Sequence, residues 1–182
     1  MQHWELSSVH TLKPGMHLYQ FYHEAQDYFE ILTAYFRAGL IQDEACLWLV
    51  PDSFGVAKAY EMMKSVVMDL DIYRDRGSFK ILSANDWYLT QGRFDEEKSM
   101  QNAAQAVAAA KALGHKVVRG AGDAGVIPHQ DEARLHEYEK KMADWIPTQF
   151  VIGLCTYPLS RCTLAETKHV VEVHDDVLIG RV

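Results

Sequence analysis

The chain has 182 residues, 48% hydrophobic and 11% aromatic, with a formal charge of −7. Such a chain buries roughly 70% of its unfolded surface as one domain, and this apolar content excludes intrinsic disorder. The acidic balance gives no basic patch for nucleic acid, because Lys140-Lys141 and Arg74/Arg76 sit among acids.

In chain order, a lead-in ends at the turn Lys13-Pro14-Gly15, and His17–Tyr22 (HLYQFY) follows as a first strand. From Ala25, apolar residues at Tyr28, Phe29, Leu32, Tyr35, Phe36 and Leu40 mark one helical face, with Gly39 placed to stop the helix. Ala45–Val50 (ACLWLV), closed by Pro51, reads as a strand covered on both faces. Ser53 offers an N-cap to a helix carrying Phe54, Ala57, Tyr60 and Val67.

Phe79–Leu82 is a third strand. A long loop follows with Asn85, Trp87, Tyr88 and Phe94, whose aromatics read as a lid, a partner surface or local packing. Asp95 caps the clearest helix, DEEKSMQNAAQAVAAAKAL, which has acids in its first turn, Lys111 in its last and Gly114 beyond. Its alanine-rich face, Ala103–Ala110, suits close helix packing within the chain or in a homodimer.

Lys116–Gly120 is a fourth strand, and a helix follows with Leu135, Tyr138, Met142 and Trp145 on one stripe. On that helix Tyr138 is expected in the core, and Glu139 solvated or paired. Phe150–Tyr157 is a fifth strand, and Leu164–Val173 a helix before a last strand near Val177–Ile179. Strands alternating with helices select an α/β fold, a three-layer α-β-α sandwich around a mostly parallel sheet. With no linker or repeat, residues 1–182 read as one domain.

In such sheets ligands collect at the carboxyl ends of the strands. That rule selects Tyr22, His23 and Glu24, then Asp52, then Ser83, Asn85 and Asp86, then Arg119 and Asp123, and finally Cys155, Thr156 and Tyr157. The turn after the first strand reads Tyr22-His23-Glu24-Ala25-Gln26-Asp27. It has neither the glycines nor the lysine of a phosphate-binding loop, and its two carboxylates repel a triphosphate.

Several candidates carry two readings. His17 is either a hydrogen-bonded core histidine or a ligand contact. Arg119 requires a carboxylate such as Asp123, or an anionic ligand. Cys155 is a small buried hydrophobe or a reactive thiol. Cys155, Cys162, His169 and His174 raise the question of zinc, but they lack the tight cysteine pairs of structural sites, so no metal is expected. No Ser-His-Asp order, HExxH, nucleophile elbow or dinucleotide fingerprint is present, so neither catalytic residues nor a cofactor are expected.

The segments HLYQFY, AGLIQDEACLWLVPD, WYLTQGRFDEE, KALGHKVVRGAGD, HEYE and LCTY, in this order, resemble the MEDS domain, the methanogen and methylotroph sensory domain of the DcmR type. The likeness runs from about His17 to His174. It implies a RecA/KaiC-like fold without a functional P-loop, joined to histidine kinases or transcription regulators and sensing small hydrocarbon derivatives.

The family positions it implies are His17, Tyr22, Arg119, Asp123, Tyr138, Glu139, Cys155, Tyr157 and His174. Two positions depart from the pattern: Ala124-Gly125 follows Asp123, and Asp175 follows His174. The expectation is a non-catalytic sensory module whose ligand-binding residues are His17, Tyr22, His23, Arg119, Asp123, Cys155 and Tyr157. It would bind a small organic ligand and signal to a histidine kinase or transcription regulator. A residual nucleotide-dependent activity using Asp123 and Glu24, or a pure interaction protein, are the alternatives.

The three cysteines, Cys46, Cys155 and Cys162, form no disulfide framework and suit a reducing cytoplasm. The first twenty residues lack the pattern of a signal peptide. No apolar run approaches about 18 residues, so no membrane contact is expected.

Overall fold

A computed structural model describes residues 7–178. Six strands form one parallel sheet: β1 (His17–Tyr22), β2 (Ala45–Val50), β3 (Phe79–Ser83), β6 (Val118–Asp123), β7 (Val151–Pro158) and β8 (Asp176–Val177). Their order across the sheet is β3-β2-β6-β7-β1-β8. A separate antiparallel hairpin pairs β4 (Leu89–Thr90) with β5 (Arg93–Phe94).

The order of strands decides which helix covers which face. From β1 the chain steps in one direction to β2 and β3 through α1 (Ala25–Ile41) and α2 (Val56–Val66). A short α3 (Leu70–Asp75) leads into β3, and after α4 (Ala84–Tyr88) the chain steps back the other way. It passes to β6, β7 and β8 through α5 (Glu96–Ala112), α6 (Glu132–Trp145) and α7 (Leu164–Val173). Right-handed crossovers in opposite directions put their helices on opposite faces.

The face under α1 and α2 is the fuller one. Trp48, Tyr28, Phe29, Phe36 and Phe79 pack there with Leu18, Ile152 and Leu154. The Trp48 indole donates to the Tyr28 hydroxyl at 2.9 Å, so this buried ring keeps its hydrogen bond. The opposite face is thinner. Val107, Ala110, Val118, Ile146 and Val151 form one cluster, and Leu49, Tyr88, Phe94, Ile127 and Tyr138 another.

The expected elements are present, with local corrections. Gly39 does not stop α1, which continues to Ile41; the left-handed residue beyond it is Asp43 (φ 58). Gly39 instead admits Arg119, since a Cβ there would lie 2.7 Å from Arg119 Cδ and 2.8 Å from Cys46 Sγ. The N-cap of α2 is Gly55 (φ 83), two residues beyond Ser53. The fourth strand begins at Val118 and runs to Asp123, which moves Arg119 from its end to near its start.

Asp95 caps α5 as expected, accepting from the Lys98 N–H at 3.1 Å, and Gly114 (φ 92) follows the helix. The segment from Asn85 to Phe94 is not an open loop. It holds α4 and the hairpin, with Tyr88 and Phe94 buried against Tyr138, so these two aromatics are core and not lid. Asp131 anchors the hairpin from outside, accepting from Arg93 and from the Phe94 N–H. The last strand is confined to Asp176–Val177, and Ile179 lies outside the described residues. Among the described residues no helix is long and apolar enough to cross a membrane.

Candidate functional site

Period-two alternation sends Gly120 and Gly122 of β6, and Gly153 of β7, to the face under α5 and α6. Adjacent strands hold them in line, for Leu47 on β2, Gly120, Gly153 and His17 on β1 are successive register partners. The next row is Leu49, Gly122, Cys155 and Tyr19. Two of the three glycines are covered. A Cβ on Gly122 would meet the Tyr88 hydroxyl at 2.1 Å, and one on Gly153 would meet Ile146 Cδ1 at 2.7 Å. A Cβ on Gly120 would meet nothing within 4 Å.

That open position forms part of the floor of a cavity of about 80 Å³ between the sheet and the two helices. Ala103, Ala106, Met142 and Trp145 line it from the helix side, and His17 and Cys155 border it. Its walls are therefore mostly apolar. Ala103 and Ala106 of α5 border this space, whereas Ala104, Ala108 and Ala109 are exposed.

Beyond His17 and Cys155 lies a buried polar cluster. His17 Nε2 is 3.3 Å from Glu139 Oε2 and 3.4 Å from Cys155 Sγ. His174 Nε2 is 3.6 Å from the same carboxylate oxygen, as is Cys155 Sγ. The Tyr157 hydroxyl donates to the other oxygen, Glu139 Oε1, at 3.0 Å. His174 Nδ1 lies 2.7 Å from the Val170 carbonyl, and the two imidazole rings are 4.0 Å apart.

Burial pushes the Glu139 carboxyl upward, but the hydrogen bond and charge of His17, with His174 and Tyr157, outweigh it and hold the group at about 2. Burial lowers His174 to about 4. Burial, reinforced by the Glu139 charge, raises the Cys155 thiol well above its ordinary value.

The residues expected to bind a ligand fall into different places, and His17 is at the amino end of β1 and not at a carboxyl strand end. His17, Cys155 and Tyr157 come together in this cluster. Tyr22 and Asp123 meet at the carboxyl edge of the sheet, where the Asp123 carboxylate accepts from the Thr156 hydroxyl at 2.9 Å, the Gly125 N–H at 2.7 Å and the Tyr22 hydroxyl. Burial raises Asp123 to about 6 in spite of those donors. His23 is exposed at the start of α1.

Arg119 lies on the opposite face, fully buried, and its partner is Glu44 and not Asp123. It also donates to the Val9 and Tyr35 carbonyls and stacks over the Tyr35 ring at 4.8 Å. Glu139 and His174, absent from the strand-end selection, are the residues that complete the cluster. The alternating glycines in VRGAGD were the one local signal of the cavity.

At the turn from β1 into α1, the Asp27 carboxylate accepts from the His23 and Glu24 N–H groups at 3.2 and 3.1 Å. The Glu24 side chain completes a capping box. Backbone donors that a phosphate-binding loop offers to a nucleotide are here taken by the chain's own carboxylates.

These features define a RecA/KaiC-like α/β fold whose phosphate corner is closed by acids. A KaiC-like protein of the hyperthermophilic archaeon Pyrococcus horikoshii has the same fold, with TM-score 0.62 and 14% identity over 90% of this chain and 70% of that one. The chain belongs to the MEDS family, the methanogen/methylotroph, DcmR sensory domain, whose sequence profile matches residues 16–175. A search of curated proteins finds no match.

Proposed function

We propose that this sensory domain binds a small, mostly apolar organic molecule in the cavity under α5 and α6, and that it is not an enzyme. The observation that carries the reading is the bare Gly120 position beneath an apolar roof, with His17 and Cys155 at one end. An apolar chamber with a few convergent polar groups suits a ligand with a short hydrocarbon body and one polar or halogen-bearing end. Small hydrocarbon derivatives fit that description.

The site lies on the face of the sheet and not at the carboxyl ends of its strands: His17, Val118 and Val151, which border it, are the first residues of β1, β6 and β7. Its roof is α5 and α6, so a ligand that fills the cavity acts on how these helices sit on the sheet. Their outer surfaces are where a histidine kinase or transcription regulator would read the change.

The test is a thermal-shift and calorimetric series with short-chain alcohols, thiols and haloalkanes on the wild-type chain and on Gly120→Val. Binding to the folded state at a hundredfold excess over Kd stabilises by about 2.7 kcal/mol. In a domain of this size that raises Tm by roughly 5–10 °C. A saturable shift in the wild type that vanishes in Gly120→Val supports the reading. No shift with any compound, or an equal shift in both proteins, overturns it. Nucleotide binding is the competing reading, and equilibrium dialysis with ATP and magnesium decides it. The carboxylates of Glu24 and Asp27 at the corner argue against retention of the nucleotide.

A further inference from the structure

We propose that His17, Glu139, Cys155 and His174 form a binding centre for one divalent metal ion of the zinc type. Their four donor atoms (two imidazole nitrogens, a sulfur and a carboxylate oxygen) all lie within 4.8 Å of one another. In a tetrahedral zinc site, bond lengths near 2.0–2.3 Å place neighbouring donors roughly 3.3–3.6 Å apart. Four of the six separations are 3.3, 3.4, 3.6 and 3.6 Å, and the other two lie within 4.8 Å. The donor set is the borderline one that zinc prefers, and not the all-oxygen set of magnesium or calcium.

A second observation concerns His174. Its side chain is fully buried, and its Nε2 has no hydrogen-bond partner. The Nδ1 proton is committed to the Val170 carbonyl, which leaves a lone pair on Nε2. That lone pair faces Glu139 Oε2, so two acceptors point at each other across 3.6 Å. A cation between them removes the conflict. A histidine that ligates through one nitrogen and gives its other N–H to a backbone carbonyl is a common outer-shell arrangement of metal sites.

Tyr157 plays the same part for the carboxylate, holding Oε1 while Oε2 faces the centre. Charge also balances. A carboxylate, a thiolate and two neutral imidazoles sum to −2 and cancel a divalent ion, which suits a buried location. On binding, the Cys155 thiol loses its proton to solvent as the sulfur–metal bond forms.

The centre borders the cavity through His17 and Cys155 but does not depend on that cavity holding a ligand. Four chains of contact converge on it: β1, β7, α6 and the end of α7. A metal there ties the first strand to the last helix. The other cluster of possible ligands, His129, Glu132 and Glu166, is more exposed and lacks sulfur.

The test titrates Co²⁺ and Zn²⁺ into the full chain after treatment with chelator. The expected result is one equivalent of Co²⁺ with the intense visible bands of a tetrahedral site and a thiolate charge-transfer band, all displaced by Zn²⁺. Cys162→Ser and Glu132→Gln keep both signals, whereas Cys155→Ser loses the charge-transfer band and His174→Gln loses tight binding. Tyr157→Phe, which removes no ligand, weakens the site about 10–100-fold and serves if a ligand variant does not fold. The proposal is overturned if the wild type takes up no cobalt. It is equally overturned if the thiolate band survives Cys155→Ser, or if Glu132→Gln removes the binding.

Discussion

Gly120 on β6 and Gly153 on β7 stand opposite each other in register, with His17 next in the row. Side-chain-free backbone therefore crosses the middle of the sheet and ends at an imidazole. One glycine of the pair is filled by Ile146 from above and the other is not. That difference makes the cavity.

The contrast between neighbouring glycines is directly measurable. Gly120→Ala has room for its methyl group and reduces the freedom of the unfolded chain, so it should stabilise by about 0.4–1 kcal/mol. Gly122→Ala must displace the Tyr88 hydroxyl and should destabilise by about 1–3 kcal/mol. Urea unfolding of the two variants checks both. Equal effects would mean that the cavity is not where the structure places it.

Gly39 lies in the interior of α1, where exchange for alanine would ordinarily stabilise by about 1 kcal/mol. Here the new methyl group would press on Arg119 and Cys46. Gly39→Ala is expected to lose about 1–3 kcal/mol. A higher Tm than wild type would show that the helix, and not the buried guanidinium, sets this residue.

Arg119 and Glu44 are buried together, and neither has another charged partner of opposite sign among the described contacts. Arg119→Ala leaves Glu44 uncompensated and should cost about 3–5 kcal/mol. The double change Arg119→Met with Glu44→Leu should recover much of that loss, because it removes both desolvation penalties. Thermal unfolding of the single and double variants distinguishes a structural ion pair from an anion site. An anion site would leave Arg119→Met alone close to wild type.

Asp123 gives the fold a pH dependence of predictable sign. Its folded value of about 6 lies above the usual 3.8, so its contribution is fully present below pH 3.8 and is lost as pH rises through 6. By linkage this is roughly 3 kcal/mol between the two limits. Asp123→Asn should flatten that part of the stability profile. Its gain at neutral pH should be smaller than the full figure, because the amide keeps only one acceptor oxygen for the donors of Thr156, Gly125 and Tyr22. Chemical denaturation at pH 4, 5, 6 and 7 gives the answer, and an unchanged slope in the variant would refute it.

Much of the secondary structure was legible because it follows from local pattern. Asp95, the first-turn acids and Gly114 bounded α5 within a residue. ACLWLV and FVIGLCTY marked two central strands by continuous apolarity alone. Two of the differences share one cause: a residue type with two uses. Gly39 ends helices but also admits a neighbouring side chain, and Ser53 caps helices but lost here to a glycine at positive φ. Tyr88 and Phe94 looked like loop aromatics because the two-residue strands around them are too short to show a period.

The sequence by itself determined the layered α/β architecture and the loss of the phosphate-binding loop. Apolar strand runs alternating with amphipathic helical stripes, and the acids Glu24 and Asp27, are properties of contiguous residues. The tertiary structure alone decided which of the named residues come together. His17, Glu139, Cys155 and His174 come from four separate elements, and only strand order and helix placement set their distances. The same holds for Arg119, whose partner Glu44 is fixed by the pairing of β2 with β6 and not by any spacing along the chain. Local free energies select local conformation. Which buried charges meet is settled by which strands lie side by side.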